Sequence, residues 1–163
     1  MNYNIIIIIF LLMLILYLKK NENLEEKNKY KNVFFITGLP RSRTAWMSVM
    51  LTNKDSICIH EPKKYYFFNY DINSEEKYLN FIKNIIDNYF NSGYKYVGIS
   101  CTDIVVSNKF YRKYFPNSKI IFIDRNINDV IHSTFKFTNI KNTKKIIKKI
   151  YNYNKNNKYD YII

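Results

Sequence analysis

The sequence predicts an α/β fold with three layers and a mainly parallel sheet, and two observations lead to this prediction. From Asn32 onward, short β-rich runs alternate with segments of helical spacing, which is typical of a sheet whose strands are joined by helices. The run KIIFID at 119–124 has a continuous apolar centre, as a strand covered on both faces would have. At 163 residues and 47% hydrophobic composition, the chain can bury the core of one ordinary domain.

An N-terminal hydrophobic helix is predicted to precede this domain. The stretch from Ile5 to Leu18 carries no charge and no small-residue cleavage site, and tyrosines flank it as interfacial aromatics would. We therefore expect a transmembrane signal-anchor segment over residues 1–20, and a membrane location through this single-pass anchor. A cleaved signal peptide and a buried helix are the alternatives. Because Lys19 and Lys20 follow the stretch, the positive-inside rule favours a cytosolic domain, but the side of the membrane stays open.

The first half of the remaining chain predicts a linker and four elements. Residues 21–31 are charged and poor in apolar side chains, which predicts a polar linker, and the domain is predicted to occupy 32–163. It begins with the strand NVFFIT, the helix TAWMSVMLTN, the strand SICIH and a helix over 74–90. The apolar residues of that last helix recur at helical spacing, with Asn73 in a capping position and Gly93 after its end.

The second half continues the alternation. The strand YKYVGIS comes first, followed by the short helix SNKFYRKYF, which Pro116 ends. The strand KIIFID and a helix over 128–137 come next. The segment KNTKKIIKKIYNY is predicted as a basic amphipathic helix because its isoleucines recur at helical spacing among lysines. KYDYII is predicted as a last short strand.

The strongly basic composition has two interpretations. Lys and Arg total 26 against 13 Asp and Glu, a formal net charge of +13, which would suit a nucleic-acid or membrane surface. Nearly all of these cations are lysines mixed with Asn, Ile and Tyr, which indicates a solvated surface shaped by codon bias. No specific nucleic-acid partner is therefore predicted, whereas an anionic cofactor suits the charge.

The two cysteines, Cys58 and Cys101, lie in strand-like apolar runs. Their positions match neither a disulfide framework nor the spacing of metal ligands. We expect buried free thiols and predict no metal site.

The stretch TGLPRSRTAW at 37–46 is predicted to bind an anion. It connects a strand to a helix, a geometry that directs several free backbone N–H groups at one anion. Gly38 permits a tight turn and Pro40 stiffens it. An ATP-binding P-loop needs a glycine and a lysine near its end, but Arg43 and Thr44 stand there, so an ordinary kinase or NTPase is not favoured.

The motif PRSRTAW resembles the donor loop of sulfotransferases that use 3′-phosphoadenylyl sulfate (PAPS), and the chain looks like a short member of that family. The resemblance implies a P-loop-like loop that holds the 5′-phosphosulfate group. It also implies that Arg41 stabilises charge on the bridging oxygen during transfer. Ser42 and Thr44 would bond phosphate and sulfonate oxygens, and Trp46 would contact the adenine.

Two positions of the loop depart from the family pattern. Arg43 stands where the family has Gly, and Ala45 replaces a Thr that adds a hydroxyl contact. Arg43 would either add a donor or obstruct the loop.

A second motif, IIFIDRNINDVIHS, strengthens the resemblance. Arg125 ends an apolar strand and Ser133 follows eight residues later, the spacing by which these sulfotransferases grip the donor's 3′-phosphate. Arg offers a planar fork of donors that matches a phosphate. The donor-binding residues implied together are Gly38, Pro40, Arg41, Ser42, Arg43, Thr44, Ala45, Trp46, Arg125 and Ser133.

Sulfonate transfer also needs a base to take the acceptor's proton. His60 and Glu61 end the second predicted strand in CIHEP, and the carboxyl ends of parallel strands meet at one edge of a sheet. The resemblance leaves the choice between them open. We favour Glu61 slightly and name Arg41, Glu61 and His60 as the catalytic candidates. The segment 63–68, KKYYFF, is either part of an acceptor surface or core and lid packing.

The predicted function is transfer of a sulfonate group from PAPS to a hydroxyl or amine acceptor, which could be a carbohydrate, a protein or a small molecule, with PAP as the product and no metal. A catalytically inactive sulfotransferase-like module that binds anions or a partner at a membrane is the alternative. A nucleotide kinase with an irregular P-loop is a third possibility. The resemblance covers Val33 to Phe137, and the glycine-rich basic segment that many members carry later is not found by Ile163. The sequence therefore predicts a minimal form, a truncated form or a remnant.

Overall fold

The computed structural model of this protein describes residues 3–62, 72–102, 108–138, 142–154 and 157–163. In these ranges the strands are β1 (Val33–Gly38), β2 (Ser56–His60), β3 (Tyr96–Ser100), β4 (Lys119–Ile123) and β5 (Tyr161–Ile162). The helices are α1 (Tyr3–Lys29), α2 (Thr44–Met50), α3 (Ile72–Asn91), α4 (Asn108–Tyr114), α5 (Ile127–Thr138) and α6 (Thr143–Asn154).

The five strands form one sheet in the order β2-β3-β1-β4-β5, and every pairing is parallel. The central strand, β1, pairs with β3 on one side and β4 on the other, so that Phe35 lies opposite Ile99 and Ile120. Helices between successive strands supply the crossovers that parallel pairing needs. The prediction of an α/β fold with a mainly parallel sheet is therefore confirmed.

The two faces of the sheet are covered by different helices. Consecutive residues of a strand point to opposite faces, and Phe35 packs with the aromatic ring of Tyr111 in α4 at a centroid distance of 4.3 Å. Its neighbour Ile36 belongs to a second cluster, on the other face, which includes Met47 of α2. Ile82 of α3 joins the Phe35 cluster. The sheet is therefore the middle of three layers.

The structure confirms the predicted end of the long helix α3 and corrects its predicted start. The helix begins at Ile72, so Asn73 lies inside it and is not its cap. Gly93 has φ +93°, a left-handed conformation that glycine adopts at little cost where a helix ends. The stop signal in the sequence was therefore correct, whereas the start signal was displaced by one turn or less.

The N-terminal helix corrects the prediction of a membrane anchor. Among the described residues, none of the helices combines the length and the apolar character that crossing a bilayer requires. The uncharged stretch from Ile5 to Leu18 rises only about 21 Å at 1.5 Å per residue, whereas a bilayer core is about 30 Å thick. The helix then continues through the polar residues up to Lys29, across most of the predicted linker. The predicted transmembrane signal-anchor segment over residues 1–20, and the membrane location drawn from it, are wrong.

The prediction of buried free thiols is confirmed. Cys58 and Cys101 are both free and buried. Burial raises the pKa of the Cys58 thiol to about 12, because the thiolate would lose its hydration. Cys58 is therefore protonated and unreactive at neutral pH.

The short strand β5 pairs with β4 through its backbone, and the carboxylate of Asp160 reinforces this attachment. Asp160 accepts a hydrogen bond from the backbone N–H of Ile120 at 2.8 Å and one from Arg112 Nη2 at 2.8 Å. Burial alone would raise the pKa of this carboxyl, but the bond from Ile120 and the charge of Arg112 hold that pKa below its ordinary value. The ionised form therefore stabilises the attachment of β5 to β4.

We expect Asp160→Asn to lower the free energy of unfolding by about 1 kcal/mol at pH 7. A depressed pKa contributes stability that is present above the unfolded pKa near 4 and is lost as the pH falls through the folded pKa. The difference in stability between the two proteins should therefore shrink as the pH falls below about 4. Urea unfolding at pH 7 and pH 3 measures this, with the exposed Glu76→Gln as the control. An equal difference at both pH values would contradict the role of the carboxylate.

Candidate functional site

The sheet order places a crevice between the carboxyl ends of β1 and β4. After β1 the chain crosses to β2 and β3 on one side, whereas after β4 it continues to β5 on the other. The two connections diverge at this point, and in open parallel sheets such a switch point is where ligands bind. A cleft of about 380 Å³ lies there. Its lining residues are Ser42, Arg43, Trp46, Met47, Ile123, Asp124, Arg125, Asp129 and Ile163.

The loop after β1 has an unusual backbone. Arg41 has φ +67° and Arg43 has φ +63°, while Ser42 between them does not have a positive φ. Backbone that alternates between hands turns successive N–H groups toward one concave side, which suits an anion. The N–H of Ser42 donates to the carbonyl of Leu39 at 3.0 Å and closes the turn. The two arginines of the loop thus hold left-handed conformations that glycine adopts more easily.

Two hydroxyl groups at the loop are buried without hydrogen-bond partners in the described part of the chain. These groups are Thr37 Oγ1, at the end of β1, and Ser42 Oγ. Ser42 is only 1% exposed. A buried hydroxyl without a partner costs about 1–3 kcal/mol. Since such groups are rare in native proteins, oxygens of a bound ligand or of water can complete the bonding of these two hydroxyl groups.

The structure brings Arg41, Arg125 and Ser133 together. Arg125 Nη1 donates to the backbone carbonyl of Arg41 at 2.6 Å, and Arg41 Nε donates to Ser133 Oγ at 3.4 Å. The three residues come from the loop after β1, the end of β4 and the second turn of α5. The two motifs that the sequence singled out therefore meet at one point, beside the cleft.

The residues that line the cleft are chemically mixed. Trp46 is 56% exposed on α2 and offers an aromatic face. Asp124 and Asp129 place two carboxylates near Arg43 and Arg125. Carboxylates repel a phosphate but accept hydrogen bonds from hydroxyl and amino groups. The cleft can therefore hold a ligand that has an anionic end, a planar apolar part and neutral polar groups.

Ser100 supports the start of α2 and was not identified from the sequence. Its buried Oγ donates to the backbone carbonyl of Thr44 at 2.9 Å. This bond connects the end of β3 to the first residue of the helix that follows the loop. Ser100 ends the predicted strand YKYVGIS, so its position was visible in the sequence, but nothing there indicated its partner.

Two other residues that line the cleft, Asp124 and Ile163, were also not predicted from the sequence. Asp124 precedes Arg125 directly, so the strand-end position could have pointed to it. Ile163 could not have been found, because only the pairing of β5 with β4 brings it to the cleft.

His60 and Glu61 lie farther from the loop than the other predicted residues. His60 ends β2 and Glu61 follows it. In the sheet, β3 separates β2 from β1. With strands about 4.8 Å apart, β2 lies about 10 Å from β1. Glu61 has φ +42°, and its N–H donates to the carbonyl of Ser100 at 2.8 Å. Neither residue lines the cleft, so a substrate would have to bridge the interval.

The other predicted residues have clear positions. Gly38 ends β1 and is buried, Thr44 is buried at the start of α2, and Pro40 is half-buried in the loop. Ala45 is exposed on α2. The segment 63–68, named as a candidate acceptor surface, lies outside the described residues.

Comparison with known proteins adds no family to this geometry. No protein-family model matches the sequence, and no curated protein matches it either.

Proposed function

We propose that this protein transfers a sulfonate group from PAPS to a hydroxyl or amine acceptor, as the resemblance of its two motifs to PAPS-dependent sulfotransferases implies. The contact of Arg125 with the Arg41 carbonyl at 2.6 Å carries the proposal. Because 84 residues separate the two positions, neither motif could have produced this contact through local structure. Two motifs assigned to opposite ends of one donor thus lie side by side.

The residues around the cleft fit the parts of the donor. The backbone between Arg41 and Arg43, with the unpaired hydroxyl of Ser42, suits the 5′-phosphosulfate as a P-loop-like loop would. Arg125 and Ser133 suit the 3′-phosphate, since a guanidinium offers paired donors to phosphate oxygens. Trp46 suits the adenine. A cleft of about 380 Å³ falls within the range of small-molecule sites.

Sulfonate transfer requires the protein to stabilise the charge on the leaving group and to remove the proton of the acceptor. The acceptor oxygen or nitrogen forms a bond to sulfur, the bond between sulfur and the bridging phosphate oxygen breaks, and PAP leaves with the additional negative charge. Arg41 would stabilise that charge, and electrostatic stabilisation is usually the largest contribution in group transfer. Its Nε now contacts Ser133 Oγ, so the side chain must turn toward the bridging oxygen when the donor binds.

The acceptor's proton passes to a base in this proposal. Glu61 or His60 serves as that base if the acceptor spans the interval of about 10 Å between β2 and β1. A carboxylate or a neutral imidazole within hydrogen-bond reach of the acceptor can accept the proton. The separation favours an acceptor larger than a single small group.

The same separation supports a second candidate, a catalytically inactive module that binds the nucleotide alone. In that case the loop, Arg125 and Ser133 hold PAP, but no base lies within reach of an acceptor. Binding of PAP without any sulfonated product would distinguish this module from the enzyme.

Thermal unfolding of the full chain with PAP, AMP and ATP tests the proposal. PAP at about 100 times its dissociation constant should add about 2.7 kcal/mol and raise the midpoint by several degrees. AMP lacks the 3′-phosphate and should give a smaller shift. No shift with PAP, or a larger shift with ATP and Mg²⁺, would overturn the proposal, and the latter result would favour a kinase.

A further inference from the structure

One face of α6 carries a cluster of cations without acidic partners. Lys144, Lys145, Lys148 and Lys149 are all exposed, and the helix sequence TKKIIKKIYNYN contains no Asp or Glu. Among the described residues, the ion pairs involve other lysines and arginines. We call these four lysines the basic face.

The basic face points away from the protein core. At 100° per residue the four lysines fall within an arc of about 140°. The opposite side of the helix is buried through Ile147, which packs with Val130 of α5 and with Leu39. Leu39 directly follows Gly38 in the loop after β1. The basic face is thus presented by a helix that is packed against the proposed donor loop.

The arrangement of the lysines is unfavourable in isolation. Lys144 with Lys148, and Lys145 with Lys149, are like-charged pairs four residues apart, a spacing that destabilises a helix. An anion lying along the helix would relieve this repulsion. Shallow space of about 670 Å³ lies against this face, where Asn142 and Asn152 flank the lysines. The two asparagines are about 15 Å apart along the helix axis, which suits a chain of charged units and exceeds the size of a single ion.

The types of side chain on the basic face indicate which class of polyanion would bind there. A single-stranded nucleic acid is usually bound by aromatic stacking and arginine, but the described residues that line this space are lysines and asparagines. Lysine supplies point charges for carboxylate or sulfate groups. Asparagine amides both donate to and accept from hydroxyl groups. These properties fit a hydroxyl-rich polyanion better than a nucleic acid.

We propose that the basic face of α6 binds an acidic polysaccharide and so presents the acceptor to the proposed transferase. This inference rests on the proposed function for the role of acceptor, whereas binding itself does not. The hydroxyl groups of such a chain are acceptors for a sulfonate. Because α6 packs against Leu39 of the proposed donor loop, a chain held along α6 would lie on a helix that adjoins this loop.

Binding of a labelled hyaluronan oligosaccharide to the full chain, measured by fluorescence anisotropy without donor, tests the inference. The test variant changes Lys144, Lys145, Lys148 and Lys149 to Gln, which keeps a similar helix propensity. The matched control changes four exposed lysines elsewhere to Gln: Lys54, Lys77, Lys95 and Lys109. Both variants lose four positive charges. We expect the test variant to bind at least about tenfold more weakly, and the control to stay within about twofold.

Three results would overturn the inference. Equal weakening in both variants would show attraction by net charge alone. Tighter binding of polyglutamate, or of a single-stranded oligonucleotide of matched charge, would assign the face to another class of partner. The stabilisation by PAP is measured in the same test variant and should be unchanged. Loss of hyaluronan binding with PAP stabilisation intact therefore separates this inference from the proposed function, because the proposed function is tested by the response of the wild-type protein to PAP and ATP and by sulfonated product.

Discussion

Replacing Arg125 with alanine is expected to lower the affinity for PAP about 100-fold, and to lower the affinity for AMP much less. The guanidinium would lose its paired bonds to the 3′-phosphate, and charge-assisted bonds of this kind are worth about 1.5–3 kcal/mol each. It would also lose the bond to the Arg41 carbonyl, which loosens the loop. Isothermal titration with both nucleotides measures the two affinities.

The control for this experiment is Lys136→Ala. Lys136 is an exposed cation in the last turn of α5, so the variant loses the same charge near the site without touching the cleft. Its affinity for PAP should stay within about twofold of the wild type. Arg125→Lys should restore only part of the affinity, because an ammonium cannot make the paired contact. If Arg125→Ala binds PAP as tightly as the wild type does, the assignment of the 3′-phosphate subsite is wrong.

Replacing Gly38 with alanine is expected both to destabilise the protein and to abolish PAP binding. A Cβ at this position would lie 2.9 Å from the carbonyl oxygen of Ile123 and 3.1 Å from Ser42 Cβ. The first contact is with the backbone of β4, so relief requires β1 and the loop to move away from β4. Overpacking of this kind costs about 1–3 kcal/mol. Because the cleft lies between these same elements, the loop would lose the position that an anion requires.

Gly93→Ala is the matched control for backbone effects. Nothing lies within 4 Å of a Cβ at this position, but φ is +93°, so alanine is strained there by about 1–2 kcal/mol. Thermal unfolding should therefore show a loss of stability in both variants, whereas titration should show a loss of PAP binding in Gly38→Ala alone. A Gly38→Ala protein that still binds PAP would show that the loop does not depend on close packing against β4.

Much of the fold was predictable because its signals are local. The strand SICIH matches β2 without error, and the apolar centre of KIIFID matches β4. Periodicity of side chains along one element depends only on neighbours in sequence. The N-terminal stretch was the exception: its apolar run was evident, but its length was judged against the shortest membrane spans. The rest of the same helix is charged and polar, and none of the described helices is a candidate for spanning a membrane.

The candidate site was predictable only in part. Loop residues such as Ser42 and the pair Arg125 and Ser133 were identified by resemblance, and the structure gathers them at one switch point. The relation of Glu61 to the loop was not predictable, because the order of strands is a property of the whole sheet. β3 could have paired outside β2, and the insertion of β3 next to β1 separates Glu61 from Arg41.

The sequence by itself determined the succession of helices and strands, the parallel character of the sheet and the residues worth testing as an anion site. Only the tertiary structure decided that Arg125 bonds the Arg41 carbonyl, that Ser100 supports α2, and that Ile163 joins the cleft. The physical reason is the range of the interactions. Secondary structure follows from backbone preferences and the spacing of apolar side chains within a few residues. Contacts between distant segments depend instead on how complete layers pack, which short stretches of sequence do not specify.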